Sequence, residues 1–586
     1  MASVTRAVWV QLVTDIWASI TDDLAHRTPL NIRYGIKGNG PLALTASSGQ
    51  LTCSMRNHAG NSVGSQGAYS PGHANARAGW TFGVPILVSL TDGVATAFSV
   101  SSVTRSGSTA TATTSTNHGR TTGDWVEIAG AVETDYNGPF QITVTGVATF
   151  TYTVFNSPGT PANGTITSTR THIKFRGKVR SIEPDAGQYR EQQVHVTAYD
   201  GMRDLAEANV RDVALQVDQG EDDILTSILD AVPADAQPTA RSLATGIDTY
   251  PYAFDQVGGG RKALSLIQEV ASNSRGFMFM KGDGTFVYQS RHGRSITASS
   301  YTFSNSMRAL AVPATLDNVF NHVLAIVHPR SEDAEATTVL YALTGAPPEI
   351  QPGASLTIIG NFRDPTNVTD KTLIGGTAVV TPVENTDYDG NSAANGSGSD
   401  LSSSLSVALT AWASSAKFVI TNNHATTPIF LVNTSGVTLL QCRGKGIYDD
   451  GPQTVESESA QPYGDRPITV DLTLQANPNT AQGLADFIRA SRESLADQVD
   501  SLEFAAYGSN VLMAAAVAGE PGERLTLTEA MTGLASVDAF IQSVELDIAP
   551  TWMVARWGLV VSSTDEIFIL DDSVSGVLDT SKLGYA

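Results

Sequence analysis

Ser62 is the residue whose setting most invites a chemical reading. It stands in Gly60-Asn-Ser-Val-Gly64, a G-x-S-x-G pattern. In a nucleophile elbow, that pattern holds a serine on a strained turn between a strand and a helix. Here the surrounding stretch from 60 to 77 is rich in Gly, Ser, Asn and His, so it reads as a long loop and Ser62 as a loop residue. Gly258-Gly-Gly-Arg-Lys262 precedes a helical stripe, where free N–H groups could receive a phosphate. The P-loop spacing is absent, and a helix entry is the better reading. Glu221-Asp-Asp223 lacks the spacing of a calcium loop, so Asp222 or Asp223 is expected to cap a helix. The ten histidines include no H-E-x-x-H and no close pair, which argues against a zinc hydrolase; His118 and His172 read as ordinary surface or core residues. Trp80, Trp125 and Trp412 could stack on sugars, although tryptophans in β domains more often fill cores. The sequence thus predicts no catalytic, cofactor-binding or metal-binding residue, no cofactor, and no enzymatic activity.

The elements that would position any site are mostly strands. Turn signals recur about every ten residues, as in mainly β proteins. The chain has 586 residues, enough for several domains. Its 58 acidic and 36 basic residues leave a net charge of −22, which repels nucleic acid phosphate in bulk. Cys53 and Cys442 are the only cysteines, which excludes a disulfide framework or a zinc quartet within one chain. The N-terminus carries no secretory pattern, and no run of about 18 apolar residues suggests a membrane-spanning helix. A soluble protein folding in a reducing compartment is expected.

Thr171 to Asp200 is the organising stretch. Ile173, Phe175 and Val179 alternate with Lys174, Arg176 and Lys178, residues 183 to 187 supply turn chemistry, and Val194, Val196 and Ala198 alternate again. This predicts a hairpin of two half-buried strands. Residues 539 to 561 repeat the pattern, with Phe540 to Val544 spaced like Phe175 to Val179. Strand-like runs precede each, at 85–90 and 524–528. Two related β units therefore bracket the chain. The expected division is a first β-barrel domain at 1–205 with a small β module inserted at 95–170, and an α/β domain at 206–320. The segment 321–480 would begin the second barrel and carry an inserted immunoglobulin-like sandwich, centred on 410–441. Residues 481–586 would supply a helix at 481–499, the rest of the second barrel and a C-terminal extension. Residues 390–404, rich in Gly and Ser, read as a flexible connector, and 277–289 as a hairpin turned at 281–284.

Several segments, taken in order, resemble the hub proteins of tailed-phage tails, the baseplate-hub and tail-tip group. They are Phe175 to Glu183 with Tyr199 and Asp200; Gly276 to Gly284; Asn318 to Val323 with Pro329 and Arg330; Tyr463 to Arg466; Thr526 to Gly533; and Ile569 to Asp579. The module at 95–170 looks like a β domain that recurs in phage structural proteins, and no peptidase or lysozyme extension follows. The resemblance implies two barrels with the tail-tube fold per subunit and a homotrimeric ring joining a sixfold tube to a threefold tip. It also implies a place in the virion after assembly in the host cytoplasm, and a lumen that passes DNA without binding it specifically. Partners would be other tail proteins: the distal tail ring, tube, tape measure and tip fibre. A carbohydrate-binding adhesin is the alternative. A glycan hydrolase would need two carboxylates converging on a cleft, and the sequence does not point to such a pair.

Overall fold

Alternation around Phe175 has its counterpart in one long strand, Gly164–Pro184, in a computed structural model. The structure describes residues 3–25, 28–185, 192–210, 213–253, 260–295, 297–313, 315–363, 372–433, 438–493 and 499–562, with the short pairs 567–568 and 582–583. Gly164–Pro184 pairs on one side with Pro85–Asp92 and on the other with Gln193–Asp200. Its core face carries Phe175 and Val179, both fully buried. The ladder continues from Gln193–Asp200 to Ser47–Arg56 and Leu30–Gly35, and from Pro85–Asp92 to Val4–Val13 and Ile16–Ser19. A bridge from Leu24 to Met55, with Ala25 N–H donating to Ser54 O at 2.8 Å, brings the outer edge back onto Ser47–Arg56. The first unit is thereby rolled around its apolar face.

The second unit repeats this order. Ser299–Ser304, Arg524–Glu529, Leu534–Ile548, Met553–Val561, Ser501–Ala505 and Ala309–Ala311 lie side by side. They match, in the same sequence, the first unit's strands 4–13, 85–92, 164–184, 193–200, 47–56 and 30–35. One difference is direction: 299–304 runs parallel to its neighbour, whereas 4–13 runs antiparallel. Both long strands carry a bulge against the returning strand, between Val179 and Ser181 and between Ile541 and Ser543. An extra residue at the same place in two ladders is a specific feature, because a bulge re-aims the strand beyond it. The bulges align Val179 with Ile541, three residues away from the Val179–Val544 match that apolar spacing suggested.

The rest is organised around separate cores. Helices Gly201–Glu207, Glu221–Ala231 and Ala263–Ser274 pack with the Phe277–Met280 and Thr285–Gln289 hairpin, which turns at Lys281–Gly284 as expected. Ile36, Leu44 and Ala46 of the first unit share this core. Strands 299–304 and 309–311, which the sequence reading assigned to the α/β domain, pair with the second unit instead. His322–Val327 joins neither unit. It lies between Gln453–Glu458 and Pro467–Leu472, covered by the helix Pro478–Arg492. That helix begins earlier than expected because Asn477 caps it and Pro478 occupies its first turn; of the expected span to Val499, 494–498 lie outside the described residues and Val499 is not helical.

Between Val327 and Gln453 the chain makes a β sandwich with its own core, including Tyr341, Phe418, Ile420, Ile429, Leu431 and Cys442. It extends well beyond 410–441, from Arg330–Glu332 to Leu440–Asp449. The expected connector at 390–404 is an ordered part of it. Asp389–Asn391 pairs with Ile429–Val432, and Asn391 Oδ1 accepts from Ala393 and Gly398 N–H. Side chains that bond the local backbone order this Gly- and Ser-rich stretch despite its composition.

The inserted module has a core distinct from the first unit, built from Val103, Val126, Ile128, Tyr136, Phe150 and Tyr152 among others. It shares a strand with that unit: Gly164–Thr171 pairs inside the module, and His172–Pro184 outside it. Trp125 packs from the module onto a small cluster of Ala7, Trp9, Leu87 and Ile173. Joining Thr91 to Thr171 through a short Gly-Ser linker should therefore leave cooperative unfolding intact while uncovering Trp9. Denaturant unfolding checks the first point and a red shift of tryptophan emission the second; loss of the cooperative transition would place the module inside the folding core.

Candidate functional site

The two units meet along a backbone ladder. Leu30–Gly35 of the first pairs antiparallel with residues 543–548 of the second, from Leu30 opposite Ile548 to Gly35 opposite Ser543. The pairing starts just past the bulge at Ile541/Ser543, on the stretch of Leu534–Ile548 that outruns its neighbour Arg524–Glu529. Gly35 is required here: its φ is +103°, and a Cβ would lie 2.4 Å from Gln542 O. Ile36 N–H donates to that oxygen at 2.7 Å. One face of the join is core, with Ile32, Tyr34, Val544 and Leu546. The other is polar: Asn31 Nδ2 donates to Asp547 Oδ1 at 2.7 Å, and Arg556 reaches Glu503, Glu545 and Asp547 at 2.6, 3.3 and 3.0 Å.

Behind the ladder sits a buried ion pair. Lys174 is fully enclosed, and its Nζ donates to Glu520 Oε1 at 2.5 Å and to Gly519 O at 2.7 Å. Tyr34 Oη donates to the same carboxylate oxygen at 3.0 Å, and Gly282 N–H donates to the other at 3.1 Å. One carboxylate thus holds the first unit, the second unit and the α/β domain together. Burial pushes the Glu520 carboxyl up, while Lys174 opposes the rise. Tyr34 is pushed well above its usual range, by burial and then by the Glu520 charge, and stays a donor. Composition gave no sign of this pair, since Lys174 looked like one of three outward cations on an alternating strand.

The residues singled out in the sequence are not brought together. Ser62 lies on an exposed loop with no helix after it, and its Oγ donates to Asp23 Oδ2 at 2.5 Å. Asp23 is fully buried, also accepts from Tyr69 Oη, and has Arg77 at 3.8 Å, so Ser62 anchors the loop. The expected cap at Asp222 or Asp223 is corrected: Gly220 is the N-cap, without a side-chain bond. Glu221 is buried and accepts from Ile247 N–H at 2.7 Å, and Asp222 accepts from Gly246 N–H at 3.0 Å. Both carboxylates therefore bind the facing loop. Gly258 and Gly259 lie outside the described residues; Arg261 and Lys262 pair with Asn209–Val210 before the helix. His118 is buried edge-on to Phe150 in the module, and His172 sits on the long strand, its pKa lowered by burial and nearby cations to about 4. Trp80 is core, its ring edge-on to Tyr69 and its N–H donating to Tyr69 O. Trp412 is half-buried in the sandwich. A set the sequence search missed is His322 with Glu456, Glu458 and Asp465, drawn from two strands and the loop before Pro467–Leu472; no local spacing signals it.

No family model matches the chain, and no curated protein does. Among solved structures, a tail protein from Neisseria meningitidis overlays with a TM-score of 0.43 at 8% identity, covering 96% of this chain and 97% of that one. The prophage MuSo2 43 kDa tail protein from Shewanella oneidensis gives 0.41 at 9%, covering 95% and 98%. Prophage tail protein gp18 from Listeria monocytogenes gives 0.30 at 8%, covering 75% and 88%. Overlaps of this depth leave the functional reading to the strand order and the join. Among the described residues, no helix is long and apolar enough to cross a membrane.

Two outcomes follow from the buried charges. Lys174→Met should lower unfolding free energy by about 3–5 kcal/mol, because it orphans a buried carboxylate; adding Glu520→Gln should recover part of the loss, and urea titration of the single and double variants measures both. Asp200 caps the helix Gly201–Glu207 and accepts from Met202 N–H at 3.1 Å. Burial outweighs these bonds and raises its pKa from 3.8 to about 7. Its folded form thus holds a proton that the unfolded chain has lost, so its stabilising contribution is complete below about pH 4 and declines as pH rises to about 7. Asp200→Asn should flatten that part of the stability–pH curve.

Proposed function

We propose that the chain is a structural protein of a phage tail, a hub in which three subunits close into a ring of six β units. The observation that carries this reading is the join between strands 30–35 and 543–548, set beside the repeated strand order. Within one subunit, the edge strand of the first unit pairs with the long strand of the second, just past its bulge. The equivalent parts of the opposite ends are Ala309–Ala311 and the stretch 181–184 past the first bulge. Among the described residues, neither has a strand partner on its outer edge. Repeating the same join between subunits links the second unit of one to the first unit of the next. Such a head-to-tail contact is heterologous and must close into a ring or run on as a filament. A turn of about 60° per unit, shared by internal and external joins, closes after three subunits. Internal pseudo-symmetry then presents sixfold geometry to a tube and threefold geometry to a tip.

The polar face of the join would form part of the channel wall. It offers Glu503, Glu545 and Asp547 against Arg33, Arg308 and Arg556, a balanced set of charges. A wall without a cationic excess releases few counterions from DNA, so a duplex would pass without being held. The distal ring, tube, tape measure and tip fibre are the partners this position entails. The adhesin alternative gains nothing from Trp80, which is packed inside, and Trp125 is half-buried against the cluster of Ala7, Trp9, Leu87 and Ile173.

The register of the internal join supplies the test. Asn31 stands opposite Asp547; carried through the two bulges and the strand pairings, the matching intersubunit positions are Ala311 and Asp185. The native cysteines Cys53 and Cys442 are buried. Under mild oxidation, the Ala311→Cys, Asp185→Cys double variant should give covalent dimers and trimers, ending at the trimer, while each single variant does not. Absence of intermolecular bonds at concentrations where the chain self-associates would rule out this join.

A further inference from the structure

His322 opens the central strand of the three-stranded sheet, directly opposite Glu458 on Gln453–Glu458. Glu456 follows two residues earlier on the same face of that strand. Asp465 approaches from the other side, just before Pro467–Leu472. The ligand atoms of His322, Glu456 and Glu458 all lie within 4.8 Å of one another. His322 Nδ1 is 2.9 Å from Asp465 Oδ1, and the hydrogen bond to Asp465 leads the carboxylate contacts that raise the ring's pKa, so a metal would take the place of the Nε2 proton. Nε2 is closed off from solvent and faces Glu456 Oε1 at 2.6 Å.

We propose that His322, Glu456 and Glu458 bind one divalent transition-metal ion, with zinc favoured, and that Asp465 orients the imidazole for it. An imidazole nitrogen with two carboxylate oxygens is a donor set that zinc accepts, with a fourth position left for water. A carboxylate on the far ring nitrogen is the usual second partner of a metal-bound histidine, because it sets tautomer and ring angle. Tetrahedral zinc needs ligand atoms about 3.4 Å apart, within the span of this cluster once Glu456 draws back slightly. Binding would also offset most of the negative charge of the three carboxylates gathered around the ring. The consequence is mechanical. His322–Val327 carries the chain toward the sandwich and Gln453–Glu458 carries it back, so the ion would clamp the two strands that root the sandwich. This site does not depend on the ring reading.

Tag-free full-length protein, stripped with chelator and titrated with ZnCl2 by calorimetry, should bind one ion per chain. Cobalt substitution should give the visible bands of a four-coordinate site. His322→Ala and Glu458→Gln should each weaken binding at least tenfold, and Asp465→Asn about 10–100-fold. Glu458 is exposed, so its variant keeps the test usable if the histidine variant misfolds. X-ray absorption of the zinc-loaded protein should show one imidazole nitrogen among oxygen ligands. No stoichiometric binding, binding unchanged in Glu458→Gln, or preference for magnesium or calcium over zinc would overturn the proposal.

Discussion

One buried ion pair fixes the relation among the main parts of this molecule. Lys174 belongs to the first unit's long strand, Glu520 to the second unit, and the carboxylate also receives Gly282 N–H from the α/β hairpin. A buried pair of this kind adds little net stability over apolar packing of the same shape. Its consequence is positional, because moving any partner leaves a charge in a medium that cannot solvate it. The Leu30–Gly35 ladder to residues 543–548 runs beside it and needs the same alignment. The two units are therefore held at one angle by directional bonds on both faces of a single sheet.

That angle matters because the units are alike. Their strands follow the same order, and their long strands bulge at the same point. In the proposed assembly, two similar bodies related by a fixed rotation would define the first step of the ring. The sandwich, the inserted module and the three-stranded sheet each bury their own apolar core.

The mainly β character and the paired units were legible because they rest on period-two alternation, which a sheet with one buried face enforces locally. The hairpin at 277–289 was legible for a similar reason, since Gly284 adopts φ +87° in its turn. What stayed hidden depends on contacts between distant segments. Strands 299–304 and 309–311 carry no mark of their partners at 501–529. The helix Asn510–Ala518 is apolar on nearly all sides, so it has no helical periodicity to read. Residues 390–404 look like a linker by composition, yet buried Asn391 and Ser402 order them. Lys174 reads as a surface cation because alternation alone does not show that another domain covers its face. His322 and its carboxylates stand on separate strands, so no motif spans them.

Electron cryomicroscopy of the purified chain tests the ring most directly. The account predicts a closed particle with six similar lobes around a channel, repeating in alternation with threefold symmetry. Isolated two-lobed subunits at every concentration, or a particle closed by a twofold axis through the 309–311 edge, would contradict it.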